Sequence, residues 1–284
     1  MANAEYGSGF NLDALMVPVQ TQTVYAAQEN SLYLPGSMIP MVNVPAGSST
    51  AQVAVMGSVA AASISSEGAG GSGNPQDFET LLPSDSKKTI TLELIAARTV
   101  LRDFGGVDVA DMSRIMGNAI AAKVDTLVST EMANLTQQEI VDTTDNALLN
   151  EFYEAIGAIR NNGETGPLNA IISAAAYQDF MKVIGSSAFS NADVQNAAMR
   201  TGQIGTIAGV NCYVSSFLNS TNTGVAGTKA AIFSADALRG ATQGGVNVEV
   251  ERRAAAVGND IVASIAFGIE TLDATRGILL KDAA

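Results

Sequence analysis

The chain contains no histidine. The commonest general base, the usual imidazole metal ligand and the side chain that titrates near neutrality are therefore all missing. Serine and threonine are plentiful, yet without an imidazole no Ser-His-Asp relay can be assembled. Ser–Lys chemistry alone stays formally open. Asp103, Asp108 and Asp111 invite a metal reading. No Asp-x-Asp-x-Asp-Gly loop surrounds them, and helix capping explains Asp108 and Asp111 more simply. The run Gly202-Gln-Ile-Gly-Thr-Ile-Ala-Gly209 matches neither the dinucleotide fingerprint nor the phosphate-loop pattern, and no Lys-Ser/Thr pair follows it. A tight β-turn is the reading. Cys212 is the single cysteine, so it offers neither an internal disulfide nor a thiolate cluster. No catalytic residue, cofactor or metal is expected.

Two basic pairs remain. Lys87 and Lys88 follow a long Gly/Ser-rich stretch; an isopeptide bond to a neighbour's asparagine is chemically open to them, and charge balance is the simpler role. Arg252 and Arg253 end an apolar run, where they suit either a solvated hairpin end or a contact between subunits, since guanidinium forks pair well with carboxylates.

The elements that would position these groups have a definite order. Ala51-Gln-Val-Ala-Val-Met56 alternates with period two and predicts a strand. A barely apolar excursion follows from about Gly57 to Lys87, with Ser65-Ser-Glu-Gly-Ala-Gly-Gly-Ser-Gly-Asn-Pro75 inside it. Such a flap has too little apolar surface to offset the entropy of ordering on its own body, and long loops in compact domains are usually functional or disordered. The chain returns through a strand near Lys88–Ile95. A helix of roughly 40 Å is then expected over Val109–Leu135, with Val109, Met112, Met116, Ile120, Leu127 and Leu135 at helical spacing and Gly117 interrupting it. Further helices are expected from Thr144 or Asp145 to Asn161, after the capping Ser173, and at Ala235–Arg239. Strands are expected at Leu168–Ser173, twice within Gly202–Ser216, at Lys229–Phe233, at Val246–Arg252 and at Asn259–Leu272, the longest of the late strands. Residues 1–40 read as an extended arm, with a short helix near Asn11–Leu15. This order fits an α+β protein better than a doubly wound parallel sheet.

Composition narrows the partners. A net charge of −13 and a pI near 4.3 argue against a protein that adsorbs nucleic acid on a basic face. A container is a different case, because an acidic wall repels the polymer and lets it slide. Apolar residues make up 47% of the chain and aromatics 5%, which favours flat surfaces of small side chains over deep pockets. Met1-Ala-Asn-Ala-Glu-Tyr6 has no basic region followed by an apolar core, so no signal peptide is expected. The longest apolar stretch, Ile261–Ile269, is too short to span a bilayer.

In this order of elements the chain resembles the major capsid proteins of tailed bacteriophages with the HK97 fold. The features that carry the likeness are the arm, the hairpin flap (the family's E-loop), the strand Thr89–Leu101 and the spine helix Val109–Leu135. Three later ones join them: Gly205-Thr-Ile-Ala-Gly-Val-Asn-Cys-Tyr-Val-Ser-Ser216, Ala230-Ala-Ile-Phe233, and Asp260-Ile-Val-Ala-Ser-Ile-Ala-Phe-Gly-Ile269. The resemblance implies an N-terminal arm over 1–40 and an E-loop hairpin over 41–101. It implies a peripheral domain over 102–200 and a central domain with a returning strand over 201–284.

It further implies a subunit that assembles with itself into hexamers and pentamers. These close an icosahedral shell around double-stranded DNA without reading its sequence. A separate scaffolding protein, a portal and, in some members, a decoration protein are the implied partners; no membrane is involved. The virion capsid, built in the bacterial host cytoplasm, is the implied location. Gly57, Ser65, Glu67, Gly70, Gly73, Asp77, Phe78, Lys87 and Lys88 would contact neighbours from the E-loop, and Arg252 and Arg253 from the late strand end. An encapsulin-type compartment shares the fold, and an α+β enzyme is the reading from another class.

Overall fold

Period-two apolar runs separated by turn residues give this chain most of its strands, and two long helical stretches give its spine and its second core. A computed structural model describes residues 22–27, 31–34, 36, 38–56, 85–102, 109–140, 147–185 and 205–283. The elements are α1 (residues 22–27), β1 (Met41–Asn43), β2 (Thr50–Met56), β3 (Asp85–Thr91), β4 (Glu93–Arg102), α2 (Val109–Glu131) and β5 (Thr136–Ile140). They continue with α3 (Ala147–Asn161), β6 (Leu168–Ser173), α4 (Ala174–Gly185), β7 (Gly205–Ile207), β8 (Val210–Ser215), a helical turn at Ser220–Thr223, β9 (Thr228–Ser234), β10 (Leu238–Arg253), β11 (Gly258–Thr271) and β12 (Gly277–Asp282).

Two main sheets result. One has the order β1-β10-β11-β4, with β1 parallel to β10 and the other pairs antiparallel. The second has the order β5-β12-β9-β6-β8-β7. β2 and β3 form a separate hairpin, paired from Thr50 opposite Thr91 to Met56 opposite Asp85. The α+β expectation holds.

The central strands of the six-stranded sheet, β12, β9 and β6, are buried on both faces, and the alternation within them shows how. Ala231 and Phe233 of β9, Ile171 of β6 and Leu279 of β12 point into the main core beneath α2. Ala230 and Ile232, Ala170 and Ile172, Ile278 and Leu280 point the other way, into a second core with α3 and α4. There Phe152 and Phe180 meet edge to face, 5.6 Å between centroids. A strand buried on both sides must be apolar without interruption, which is why Leu168–Ser173 and Ala230–Phe233 read so clearly. Full burial of each large side chain contributes about 1.5–3 kcal/mol.

α2 is amphipathic. Met116, Ile120, Val124, Val128 and Met132 are buried in the main core, whereas Asp111, Arg114, Asn118 and Lys123 face solvent. The regular helix stops at Glu131, and a 3-10 turn, Met132–Asn134, carries the chain to Leu135. It is therefore shorter than the 40 Å expected, at about 34 Å. Gly117 has a reason to be there. A β-carbon on it would lie 2.7 Å from the Thr23 carbonyl oxygen, 2.7 Å from the Ala26 Cβ and 2.9 Å from the Ala27 nitrogen, all in α1. Gly117→Ala is expected to destabilise the chain by about 1–3 kcal/mol through overpacking, despite alanine's advantage of about 1 kcal/mol in helix propensity. Chymotrypsin should then cut faster at Tyr25 and Tyr33. A more stable and more resistant variant would contradict the packing argument.

Several expectations need correction. The described part of the arm includes a short helix, α1, and sits on the body: Ala27, Tyr33, Met38 and Ile39 are buried in the main core. The run Lys88–Ile95 is not one strand. It breaks at Leu92, whose N–H turns to the Ser49 carbonyl, so that β3 pairs with β2 and β4 with β11. The helix expected at Ala235–Arg239 is a turn, with the Ala237 N–H donating to Ser234, and β10 starts directly after it at Leu238. β10 is also longer than β11, with 16 residues against 14. β5, α3, β6 and α4 go with the six-stranded sheet and its cores, while β10 and β11 lie against α2. The short helix near Asn11–Leu15 and the caps Asp108, Thr144 and Asp145 lie outside the described residues.

Candidate inter-subunit surfaces

The hairpin β2/β3 is the root of the Gly/Ser-rich flap. Its last pair, Met56 opposite Asp85, brings the ends of segment 57–84 together at one end of the hairpin. Gly57, Ser65, Glu67, Gly70, Gly73, Asp77 and Phe78 fall in that segment, outside the described residues. Lys87 and Lys88 are on β3. Lys87 is exposed; Lys88 is half-buried, and its Nζ lies 3.9 Å from Glu270 Oε1 of the same chain. The Glu270 carboxyl is pushed up from its ordinary value by burial first, then by nearby Glu131, with Lys88 acting against both. Lys88 thus ties the flap root to β11. Lys87 also stands three residues after Ser84, the spacing used in one class of Ser–Lys acyl enzymes, but the Ser-Asp-Asn and Lys-Thr-Gly motifs that accompany it there are not in the sequence.

The second surface is the tip of the β10/β11 ribbon. The strands pair from Leu238 opposite Thr271 to Arg253 opposite Gly258, and residues 254–257 close the end. Arg98 of β4 grips Asp260 of β11 with its Nε 2.9 Å from Oδ1 and 3.0 Å from Oδ2, and with Nη2 on Oδ2 as well. Arg253 Nη1 lies 3.9 Å from the same carboxylate. The hydrogen bond from Arg98 holds the Asp260 carboxyl below the usual range. Arg253 therefore has a carboxylate within its own chain. Val257 closes the tip with φ +46° and ψ 56°, a conformation that β-branched residues rarely adopt, and is 61% exposed.

A third surface was not legible in the sequence. Between β4 and α2 runs a groove of about 280 Å³, lined by Leu94, Ala96, Ala97, Ala119, Ile120 and Lys123 among others. Leu94 is 72% exposed, and Ile115, one helical turn before Ala119, is 59% exposed. The alternation Ile90, Leu92, Leu94 suggests three residues on one face. The break at Leu92 shifts the phase, so that Ile95 turns inward and Leu94 outward.

Nothing described assembles a reaction centre. Among the described residues no three His, Cys, Asp or Glu side chains are placed to hold a metal, and Asp111 pairs with Arg114 at 3.4 Å. Asp103 and Asp108 lie outside the described residues. The segment Gly205–Gly209 forms a hairpin turn through Ala208 (φ +50°) and Gly209 (φ +78°), as read. Burial pushes the Cys212 thiol up to about 11, which leaves it a poor nucleophile. No helix among the described residues is long and apolar enough to cross a membrane.

A long helix across a four-stranded sheet, a separate β-hairpin packed on that sheet and a second helix-backed sheet make up the HK97-type capsid fold. Solved shells bear this out. The cyanophage P-SCSP1u capsid matches with a TM-score of 0.67 and 16% identity, over 86% of each chain. A structure from Mycobacterium phage Che8 matches with a TM-score of 0.64 and 16% identity, over 82% of this chain and 84% of that one. A virus-like particle from Pyrococcus furiosus matches with a TM-score of 0.65 and 12% identity, over 94% of this chain and 99% of that one. No protein-family model and no curated protein sequence matches the chain.

Proposed function

We propose that the chain is a structural subunit that assembles with itself into the icosahedral head of a tailed phage, around double-stranded DNA. The observation that supports this most is the fold, shared over more than four-fifths of the chain with phage capsid proteins. The work done is physical. Many weak contacts, each of modest strength, add up around a closed lattice. The role is structural and not enzymatic, and the location is the virion, reached by assembly in the host cytoplasm. Hexamers and pentamers of the chain are the assembly units, with a scaffolding protein, a portal and a decoration protein as partners. The spine sheet with α1 and α2 corresponds in this reading to the peripheral domain, and the six-stranded sheet with α3 and α4 to the central one.

The flap, through Gly57, Ser65, Glu67, Gly70, Gly73, Asp77, Phe78 and Lys87, lies on a neighbouring copy. The ribbon tip with Arg252, Arg253 and Val257 forms a second contact. Val257→Gly tests the tip. Relief of the left-handed strain, about 1–2 kcal/mol, and the entropy cost of glycine, about 0.5–1 kcal/mol, nearly offset each other. The subunit's Tm is therefore expected to stay within a few degrees, while the fraction sedimenting as particles falls. Unchanged assembly would take Val257 out of the contact.

One observation favours a second reading, a compartment of encapsulin type: the Pyrococcus particle matches over nearly its full chain. Particles purified from the native host and treated with nuclease separate the two. Protected double-stranded DNA supports the phage head, and a protein cargo with no DNA supports the compartment.

A further inference from the structure

The most deeply buried ionisable side chain of α2 is Asp125, in the middle of the helix and only 1% exposed. Nothing in the shell reading uses it. Its carboxylate accepts a hydrogen bond from the Ser31 hydroxyl, Oγ to Oδ1 at 2.6 Å, and another from the Leu32 N–H. The Ser31 hydroxyl in turn accepts from the N–H groups of Tyr33 and Leu34, each at 3.2 Å. One carboxyl therefore organises the whole turn at 31–34. That turn seats Tyr33 in the main core, just before the buried Met38 and Ile39.

The seam is tightly packed but incomplete in its hydrogen bonding. The Tyr33 hydroxyl and the Thr23 hydroxyl are both buried with no partner among the described residues. Each such group costs about 1–3 kcal/mol. Among the described residues no cation answers Asp125. Lys123 on α2 is exposed, Glu131 at the end of α2 accepts from Thr271, and Glu93 on β4 is exposed. Arg98 on β4 is held by Asp260 of β11, and Glu270 of β11 faces Lys88. The helical turn at Ser220–Thr223 carries no titratable group. Among the described residues, Tyr33 is the ionisable neighbour on which the charge of Asp125 acts.

We propose that Asp125 is a pH-operated latch, holding the turn at 31–34 on α2 when its carboxyl is neutral and loosening it when it is ionised. Burial lifts that carboxyl to about 6, against the bonds from Ser31 and Leu32, which favour the charged form. Burial, with the charge of Asp125, also lifts the Tyr33 phenol well above its ordinary value, so the phenol stays neutral through this range. The closed segment binds the proton more tightly than the open one does. Closure is therefore strongest below about pH 4, weakens as pH rises toward 6, and is level above that. The opening equilibrium is expected to rise about tenfold between pH 5 and pH 8.

The test is amide hydrogen exchange on the full chain, corrected for the intrinsic pH dependence, at residues 32–34. The expected result is protection about tenfold lower at pH 8 than at pH 5, with no such change in Asp125→Asn. Ser31→Ala removes a bond to the charged form and is expected to steepen the dependence. A flat profile in the unaltered chain, or the same profile in Asp125→Asn, would overturn the latch. Where Asp125→Asn does not fold, carbon NMR of the Asp125 carboxyl in the unaltered chain decides: a midpoint near 6 supports it and one below about 4.5 overturns it.

Discussion

A chain lacking Glu67–Gly73 is expected to fold with an unchanged melting transition and to yield no stable closed shells. The two halves of this expectation rest on different physics. Segment 67–73 lies inside the connection between Met56 and Asp85, and the hairpin pairs that anchor the connection are untouched. Shortening a loop by a quarter alters its closure entropy by only about 0.3 kcal/mol, so the subunit should hardly notice. The shell should notice strongly. Ordering a backbone costs about 1–2 kcal/mol per residue, and the Gly/Ser-rich stretch has almost no apolar surface of its own with which to offset it. If contacts with a neighbour order it, each copy loses one of its lattice contacts, and avidity multiplies that loss around the particle. Sedimentation and electron microscopy of the deletion variant check this. Normal particles would remove the flap from the account, and an unfolded subunit would show that the segment serves its own chain.

Gly268→Val is expected to cost about 3 kcal/mol or more of subunit stability, the largest effect of any single substitution argued here. A β-carbon at Gly268 would sit 2.3 Å from the Thr91 carbonyl oxygen and 3.0 Å from the Thr91 carbonyl carbon. Both are backbone atoms and cannot rotate away. They belong to the place where the chain leaves β3 and begins β4, crossing directly over β11. The hairpin root, the phase change at Leu92 and the four-stranded sheet all depend on that close approach. Thermal unfolding should show a Tm lower by several degrees, and the exposed Leu94 should change its environment as β4 shifts. A Tm equal to that of the unaltered chain would mean that the crossing is not held as tightly as the distances imply.

What was legible in the sequence follows from how local each element is. β2, β6 and β9 carry their pattern in their own residues, as alternation or as an unbroken apolar run. α3 ends where the Asn161-Asn-Gly163 signal stands, with Gly163 at φ +87°. α4 begins at the Ser173 cap, whose hydroxyl accepts from the Ala176 N–H at 3.1 Å. β5 could not be seen, because Thr136-Gln-Gln-Glu-Ile140 is a mostly polar edge strand held by parallel pairing with β12 at the far end of the chain. The alanine-rich stretch at 235–237 favours a helix by propensity, but the Leu272 N–H bonds to the Ala237 carbonyl, and this non-local bond fits the turn. Residues 22–39 read as an arm because small side chains carry no strong pattern. The close approach of Thr23, Ala26 and Ala27 to Gly117 is what seats α1 against α2.

Of the candidate contacts, the order of elements located the flap and the late strand end. The sequence could not show that Arg253 and Lys88 already have partners in their own chain, since Asp260 and Glu270 reach them only through the sheet register. Val257 and Leu94 were missed for the same reason. Their exposure depends on a turn conformation and on a phase shift between strands.

The most direct test of the central claim is electron microscopy of the purified full chain, concentrated, with and without a co-expressed scaffolding protein. The account predicts closed particles of uniform diameter with hexameric and pentameric clusters. A chain that stays monomeric under every such condition would contradict it.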